Sequence, residues 1–389
     1  MKGDGVKKRI AIAGAGFSGA VLARQLSEAG YQVDVFDTRP HVAGNCHTAR
    51  DDKTGVMVHT YGPHIFHTSN QRVWDYIRRF GEFVPFVNRV KTITGGRVFS
   101  LPLNLLTINP FFGRTFSPRE AEAFFAEIGE GGDAPPANFE EQALRLMGRE
   151  LYQAFFEGYT TKQWGVSPTA LPASILKRLP VRFNYDDNYY ASNFQGIPRD
   201  GYTAIVEKLL DHEGVAVFLG TKLDRAALDD YEHVFCSGPI DAWFGYSDGR
   251  LGYRTLDFVR EDHEGDFQGN AVINYGDVSV PWTRISEHKH FAPWETHEKT
   301  VVFKEYSRLC DEQDTPYYPI RLTEEKALLT RYVGRAREET KVTFVGRLGT
   351  YRYIDMHVTI AEALDVAERF IESRASGTKM DAFVVDPLG

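Results

Sequence analysis

Cysteine is scarce in this chain. Among 389 residues only Cys46, Cys236 and Cys310 occur, widely spaced and odd in number. That excludes a disulfide framework, provides no pair at metal-ligand spacing, and points to a reducing, cytoplasmic compartment. Long apolar runs are missing too: none approaches the ~18 residues that span a bilayer, so no membrane insertion is expected. Nor is positive charge in excess. With 45 Lys and Arg against 53 Asp and Glu, the net charge of −8 gives no surface for nucleic acid. An anionic ligand would therefore have to be held by particular arginines. Repeats, low-complexity tracts, a Gly-x-Ser-x-Gly elbow and a His-Glu-x-x-His metal motif are all absent. What is there is an ordinary globular composition, 42% hydrophobic and 25% charged, long enough for two or three domains.

The strongest local signal is Ile10-Ala-Ile-Ala-Gly14-Ala-Gly16-Phe17-Ser18-Gly19. It reads as a buried strand, a Gly-x-Gly-x-x-Gly turn and a helix start. Gly14 permits the tight turn, Gly16 lets backbone approach a pyrophosphate, and Gly19 allows close helix–strand packing. A second strand over residues 33–36 ends at Asp37, 23 positions after Gly14, where an acid accepts hydrogen bonds from a ribose. A secretory signal, the competing reading of Lys7-Lys8-Arg9 and the apolar run, explains neither the glycine spacing nor Asp37.

Some three hundred residues later, Thr343-Phe-Val345 is followed by Gly346-Arg347, Asp355 and a helical pattern from Val358. This resembles the C-terminal motif of two-motif FAD proteins, whose helix start favours negative charge near the flavin. Arg39 to Asn45 stands where such flavoproteins place a second glycine pair; Ala43 replaces its first glycine and Gly44 keeps the other. No second glycine fingerprint is present, so reduction from outside, or a substrate in direct contact with the flavin, is expected.

Between the two motifs the pattern is helical over about 100–180. A capping box opens at Ser117, a second helix follows Asn138, and a short one between Pro172 and Pro180 is a candidate lid. A helix over 200–210, buried strands at 215–219 and 233–236, and strand-like segments at 253–259, 271–275, 282–286 and 301–306 follow; these last four read as an antiparallel sheet. The expected fold is α/β, a Rossmann-like FAD domain (1–80, 198–245, 338–375). It is interrupted by a helical domain (100–180, lid 171–181) and an antiparallel sheet domain (81–99, 181–197, 246–337).

Two arginines, Arg178 in the lid and Arg284 on a strand, have the planar fork that grips phosphate bidentately; taken singly, a surface salt bridge explains either. Aromatics gather in the same segments. Phe155 fits core periodicity, adjacent Phe156 must face elsewhere, and Tyr159, Tyr189 and Tyr318 lie in polar, turn-rich stretches. A nucleotide cleft and an aromatic core both account for them. His64, after Gly62-Pro63 at the expected flavin edge, is a candidate contact; His67 reads as structural. His288, His290 and His297 read as surface, and no metal is expected.

Together these residues resemble UDP-galactopyranose mutases of the bacterial type. The motifs are Gly-Pro-His-Ile-Phe-His-Thr at 62–68, Gly-Tyr-Thr-Thr-Lys-Gln-Trp at 158–164, Leu-Pro-Ala-Ser-Ile-Leu-Lys-Arg at 171–178, Phe-Asn-Tyr-Asp-Asp-Asn-Tyr at 183–189, Pro-Tyr-Tyr-Pro at 316–319 and Gly-Arg-Leu-Gly-Thr-Tyr-Arg-Tyr at 346–353. The resemblance covers residues 9–371 and implies an isomerase that interconverts UDP-galactopyranose and UDP-galactofuranose for cell-surface glycans, usually as a homodimer. It implies that N5 of reduced FAD attacks the anomeric carbon while UDP leaves. Arg178 and Arg284 would neutralise the diphosphate, Tyr159, Tyr189, Tyr318 and Tyr353 would bond its oxygens, and Phe155, Phe156 and Trp164 would flank the nucleoside. Asn88, Thr160 and Asn274 are further expected contacts. FAD would lie against Gly14, Gly16, Phe17, Ser18, Gly19, Asp37, Arg39, Gly44, Asn45, Tyr61, His64, Leu219, Arg347, Ile354, Asp355, Met356 and Thr359. Residues 1–8 are expected to be a disordered extension. A flavin oxidase or dehydrogenase on the same fold is the alternative, and an inactive nucleotide-binding module a third possibility.

Overall fold

The computed structural model describes residues 9–132, 134–178 and 181–389; the side chains of Lys177, Arg178, Thr323 and Glu324 are outside that description, as is the extension at 1–8. Apolar residues every second position put Ile10 and Ile12 on one face of the strand Arg9–Ala13, fully buried. This strand lies at the centre of a five-stranded parallel sheet. Gln32–Asp37 and then Val215–Leu219 flank it on one side, His233–Cys236 and Val342–Phe344 on the other. In chain order that is 3-2-1-4-5, the doubly wound arrangement whose crevice opens where the order reverses, between the carboxyl ends of Arg9–Ala13 and His233–Cys236. Helices Phe17–Glu28 and Met356–Ser376 pack on each other over one face through Leu22, Leu26, Ile360, Ala363 and Ala367.

Val215–Leu219 is an edge strand, not the buried strand its composition predicts. Val217, Phe218 and Leu219 remain 37–42% exposed at the sheet edge, and Phe218 is stacked on Phe36. The segment Thr323–Glu338, grouped above with the inserted sheet, is a helix. Its Leu329, Tyr332, Val333 and Ala336 pack against Val234, Cys236 and Phe344 of the parallel sheet.

The inserted sheet has seven strands: Tyr318–Pro319, Tyr253–Glu264, Lys299–Leu309, Arg284–Glu287, Val272–Tyr275, Val90–Thr94 and Arg97–Leu101. It is mixed rather than purely antiparallel, because Val272–Tyr275 runs parallel to Val90–Thr94. The two strands are far apart in sequence, separated by the helical region and by strands of both large sheets, as a parallel pair needs a long connection. Phe194–Pro198 does not join this sheet; it pairs with Phe66–Thr68 and Phe83–Pro85 in a small one of three strands.

In the helical region, Ser117 caps Pro118–Ile128 in a full capping box with Glu120, and Asn138 caps Phe139–Tyr152. An unforeseen helix, Leu105–Phe112, carries Pro110 inside it. After Tyr152 the chain makes a π turn, Gln153–Glu157, before Gly158–Trp164. The wider turn buries the consecutive residues Phe155 and Phe156 together, and such bulges gather at functional sites.

His288, expected at the surface, is completely buried beside His59, whose backbone N–H donates to its Nδ1. Burial pushes the imidazoles of His233 and His288 down to about 3, and that of His59 well below its ordinary value. The unfolded chain would take up these protons below about pH 6.5 while the folded state does not, so stability must fall as pH drops through that point. Each such histidine should cost about 1.4 kcal/mol per pH unit there. The check is the urea midpoint measured from about pH 7.5 down to about 5; a flat profile would mean that these imidazoles protonate in place.

Candidate functional site

A cavity of about 610 Å³ occupies the crevice at the sheet's reversal point. Its floor is the glycine turn. Gly14 has φ +112°, its N–H donates to Phe36 O at 2.7 Å, and a Cβ there would lie 2.2 Å from Ser237 Oγ. Gly16 differs: the nearest atom to a Cβ is Gly44 Cα at 4.0 Å, so two bare glycines face each other across the space where a phosphate chain would pass. Asp37 closes the acidic end, accepting from Ala15 N at 2.8 Å and Arg39 N at 2.9 Å. Arg39 donates to Asn45 Oδ1 at 2.8 Å, and its Nη1 is buried with no hydrogen-bond partner. Ala43 takes the left-handed conformation at φ +73° that a glycine would hold without strain.

Of the expected cofactor residues, Gly14, Gly16, Phe17, Ser18, Asp37, Arg39, Gly44, Asn45, His64, Arg347, Ile354, Met356 and Thr359 line this cavity. Gly19 lies behind it, packed on Gly14. Tyr61 stands under the Arg39 guanidinium and its hydroxyl meets His41 Nε2 at 2.7 Å. Leu219 is exposed in the edge strand, and residues 221–223 supply the wall it was expected to give. Asp355 is the N-cap residue of Met356–Ser376 rather than a lining residue. Sequence reading also missed Ser237, Gly238 and residues 314–316, which complete the walls. The Ser237-Gly238-Pro239 turn after a buried strand was a readable sign, since crevices form at such carboxyl ends. A cradle bare of side chains where a diphosphate would lie, with an acid set for a ribose, fits a flavin dinucleotide.

His64 is at the inner edge, with Nδ1 2.9 Å from Gly62 O. Burial, with the nearby Arg347 cation, pushes its pKa down to about 4, so it is a neutral imidazole whose Nε2 is free of a proton when Nδ1 donates to Gly62. Arg347 leads from this cavity into a second cluster. It donates to Ile354 O and Tyr317 O, and its guanidinium lies 5.7 Å and 5.2 Å from the ring centres of Tyr318 and Tyr353.

Here the inserted sheet and the helical region meet. Strand Arg284–Glu287 places the Arg284 Nε 2.9 Å from the carboxylate of Glu305, which is almost wholly buried. Desolvation opposes the charge on Arg284, but the Glu305 carboxylate beside it prevails and holds it well above its ordinary range. Tyr159, Tyr189, Tyr190 and Tyr318 surround that charge, all with pKa values raised by burial, so each is a neutral phenol able to donate. Tyr353 joins them, in edge contact with Tyr318 and Trp164. Asn274 faces Arg284 across the strand pair; its Oδ1, like that of Asn88, is buried without a hydrogen-bond partner. Thr160 is buried on the adjoining helix. Phe155 packs edge-on to Phe99 and against Phe111, as core, and Phe156 is buried next to it. Arg178 ends the 3-10 turn Ala173–Arg178, and its side chain lies outside the described residues. Glu305 carried no signal in the sequence, and Tyr190 was visible there only as one of the clustered aromatics.

The UDP-galactopyranose mutase family model matches residues 154–353, just over half of the chain, and a Rossmann-like NAD(P)-binding model matches residues 12–80. A Klebsiella pneumoniae protein named "Probable UDP-galactopyranose mutase" is 57% identical over 97% of this chain and 98% of its own. The chain belongs to the UDP-galactopyranose mutase family. It is accordingly an enzyme, a mutase of the isomerase class and a flavoprotein. Within the family's reach lie a dTDP-fucopyranose mutase of Escherichia coli, 49% identical over 94% of this chain and 99% of that one, and a UDP-galactopyranose mutase of Mycoplasma pneumoniae, 29% identical over 93% and 96%. A solved structure of a reduced UDP-galactopyranose mutase superposes with a TM-score of 0.73 over 97% of this chain and 99% of that one, at 16% identity, which speaks to the fold alone.

The two kinds of glycine separate binding from folding. Gly16→Val, at ordinary φ with open space before it, should melt within about 2 °C of the flavin-free parent protein but abolish copurification of flavin. Gly14→Ala, strained at its φ and pressed on Ser237, should instead lower stability by about 1–3 kcal/mol. Visible absorbance and calorimetry on both variants decide this, and retained flavin in Gly16→Val would count against the cradle.

Proposed function

We propose that this enzyme interconverts UDP-galactopyranose and UDP-galactofuranose, with FAD in its reduced form bound in the crevice, as a cytoplasmic homodimer. The observation that carries the reading is the buried Arg284 cation, ringed by un-ionised phenols and joined through Arg347 to the dinucleotide cavity. Among the described residues no helix is long and apolar enough to cross a membrane, in keeping with a cytoplasmic site.

The chemistry supplied by a reduced flavin bound there is nucleophilic displacement at the anomeric carbon through N5, with UDP as leaving group. The chain's own residues do the rest. Arg284, with Arg178 from the 171–181 lid, stabilises charge as it develops on the departing diphosphate. Tyr159, Tyr189, Tyr318 and Tyr353 donate to its oxygens without adding net charge, and retain UDP for its return. The unpartnered Oδ1 atoms of Asn88 and Asn274 are acceptors for substrate hydroxyl groups. His64, neutral, offers the Nε2 lone pair at the flavin edge while its proton stays on Nδ1, toward Gly62 O. Closure of the lid excludes water, which would otherwise hydrolyse the activated sugar. Phe156 and Trp164 flank the nucleoside.

The 49% identity to a dTDP-fucopyranose mutase supports a second reading, the same ring contraction on a dTDP-sugar. Purified enzyme incubated with UDP-galactofuranose or dTDP-fucofuranose, with and without dithionite, separates the two. Conversion of the first only under reduction is expected; conversion of the second alone would shift the assignment, and none at all would sink both. Arg178→Ala and Arg284→Ala should each lose at least about 10²-fold in turnover with flavin retained, and Arg284→Lys should recover little, since an ammonium lacks the fork. Near-normal turnover in either alanine variant would remove that arginine from the clamp.

A further inference from the structure

Lys162 makes no close ion pair among the described residues, and the Asp277 carboxylate attracts it only at longer range. Its Nζ instead donates into a cage of four backbone carbonyls: Tyr275 O at 2.7 Å, Asp277 O at 2.9 Å, Val280 O at 2.9 Å and Trp282 O at 3.0 Å. An ammonium has three N–H groups, so four converging oxygens are held by its charge as well as by hydrogen bonds. All four belong to one turn, the link between strand Val272–Tyr275, which ends next to Asn274, and strand Arg284–Glu287, which begins at Arg284. Lys162 itself is in the short helix Gly158–Trp164, three residues beyond Tyr159 and two beyond Thr160.

We propose that Lys162 is a positioning residue for the nucleotide-sugar site, its ammonium clasping the 275–282 turn so that Asn274 and Arg284 are fixed relative to Tyr159 and Thr160. The inference depends on the assignment above only for what the site binds. At the seam, helix and turn approach closely through glycine backbone, with the Val278 side chain beside Gly158. A Cβ on Gly158 would come within 2.3 Å of Gly276 O, and one on Gly276 within 2.8 Å of Ala154 O. The other attachments act elsewhere. Arg254 Nε and Ser307 Oγ hold the helix end through Gln163 O, whereas the Asp277 carboxylate ties the turn to Thr94 and Gly95. Removing the ammonium leaves helix and turn each anchored and frees only the distance between them. A shift of one ångström at such a distance is enough to misplace binding groups.

The test uses the flavin-loaded enzyme with Lys162→Met, which keeps the stem and loses the charge, and Lys162→Ala, which leaves room for a soluble alkylammonium. Lys162→Met should speed amide exchange over residues 276–283, a readout that needs no substrate. It should weaken UDP binding in calorimetry and lower kcat/KM by about tenfold or more, with the flavin spectrum unchanged. Propylammonium should restore part of the UDP affinity to Lys162→Ala and do nothing for Lys162→Met, which a purely structural role would not produce. Unchanged exchange in the turn, or UDP affinity and kcat/KM within about twofold of the parent enzyme, would overturn the proposal. Failure of the parent enzyme to convert UDP-galactofuranose would strike the function assigned above and leave the exchange result standing.

Discussion

Keeping a guanidinium charged away from bulk water requires a counter-charge held just as firmly, and Glu305 provides it. Its carboxylate is nearly inaccessible and meets Arg284 at 2.9 Å while also accepting from Thr283 Oγ1 at 3.2 Å. Removing either partner of such a pair leaves an uncompensated buried charge, so the two are kept together. The surrounding phenols follow from the same fact. A buried cation already balanced by one carboxylate tolerates neutral donors, and burial keeps each tyrosine protonated. The outcome is a pocket with a fixed positive end and many hydrogen-bond donors, inside a protein of net charge −8.

The cofactor crevice and this pocket are separate constructions from separate parts of the chain. The crevice belongs to the reversal point of the parallel sheet, the pocket to the junction of an inserted sheet with a helical region. Arg347 spans them, anchored on carbonyls of the crevice side and laid against Tyr318 and Tyr353 on the other. Lys162 acts similarly at the far end of the pocket, donating to carbonyls of the link before Arg284, while the Asp277 carboxylate accepts from Thr94 and Gly95. Long cationic side chains reaching carbonyls thus tie together elements that also share an apolar core, in which Phe99 and Val272 of the sheet pack with Leu151 and Phe155 of the helical region.

Where local chemistry decides, the sequence was a sufficient guide. The glycine turn, the acid ending the second strand, the capping box at Ser117, the cap at Asn138 and the run at 346–356 each depend on neighbours within a few positions, and each is found where the pattern put it. Errors came where the deciding contact was distant. Val215–Leu219 has a buried strand's composition yet forms the sheet edge, since coverage depends on which helices arrive there. His288 sits in a polar run but is enclosed by His59, Phe291 and Phe303. Thr323–Glu338 has an average hydropathy too low to announce a core helix, although its buried stripe is complete.

Alone, then, the sequence determined a dinucleotide-binding α/β framework, the residue types available for an anionic substrate, and the motifs that mark the family. Those features are encoded in short-range geometry: positive φ at glycine, capping hydrogen bonds, alternation along a strand. Only the tertiary structure decided that Glu305 is the counter-ion of Arg284, that His64 is neutral, and that Lys162 binds carbonyls. Each of these turns on desolvation and on partners tens or hundreds of residues away, and neither quantity exists until the chain has folded.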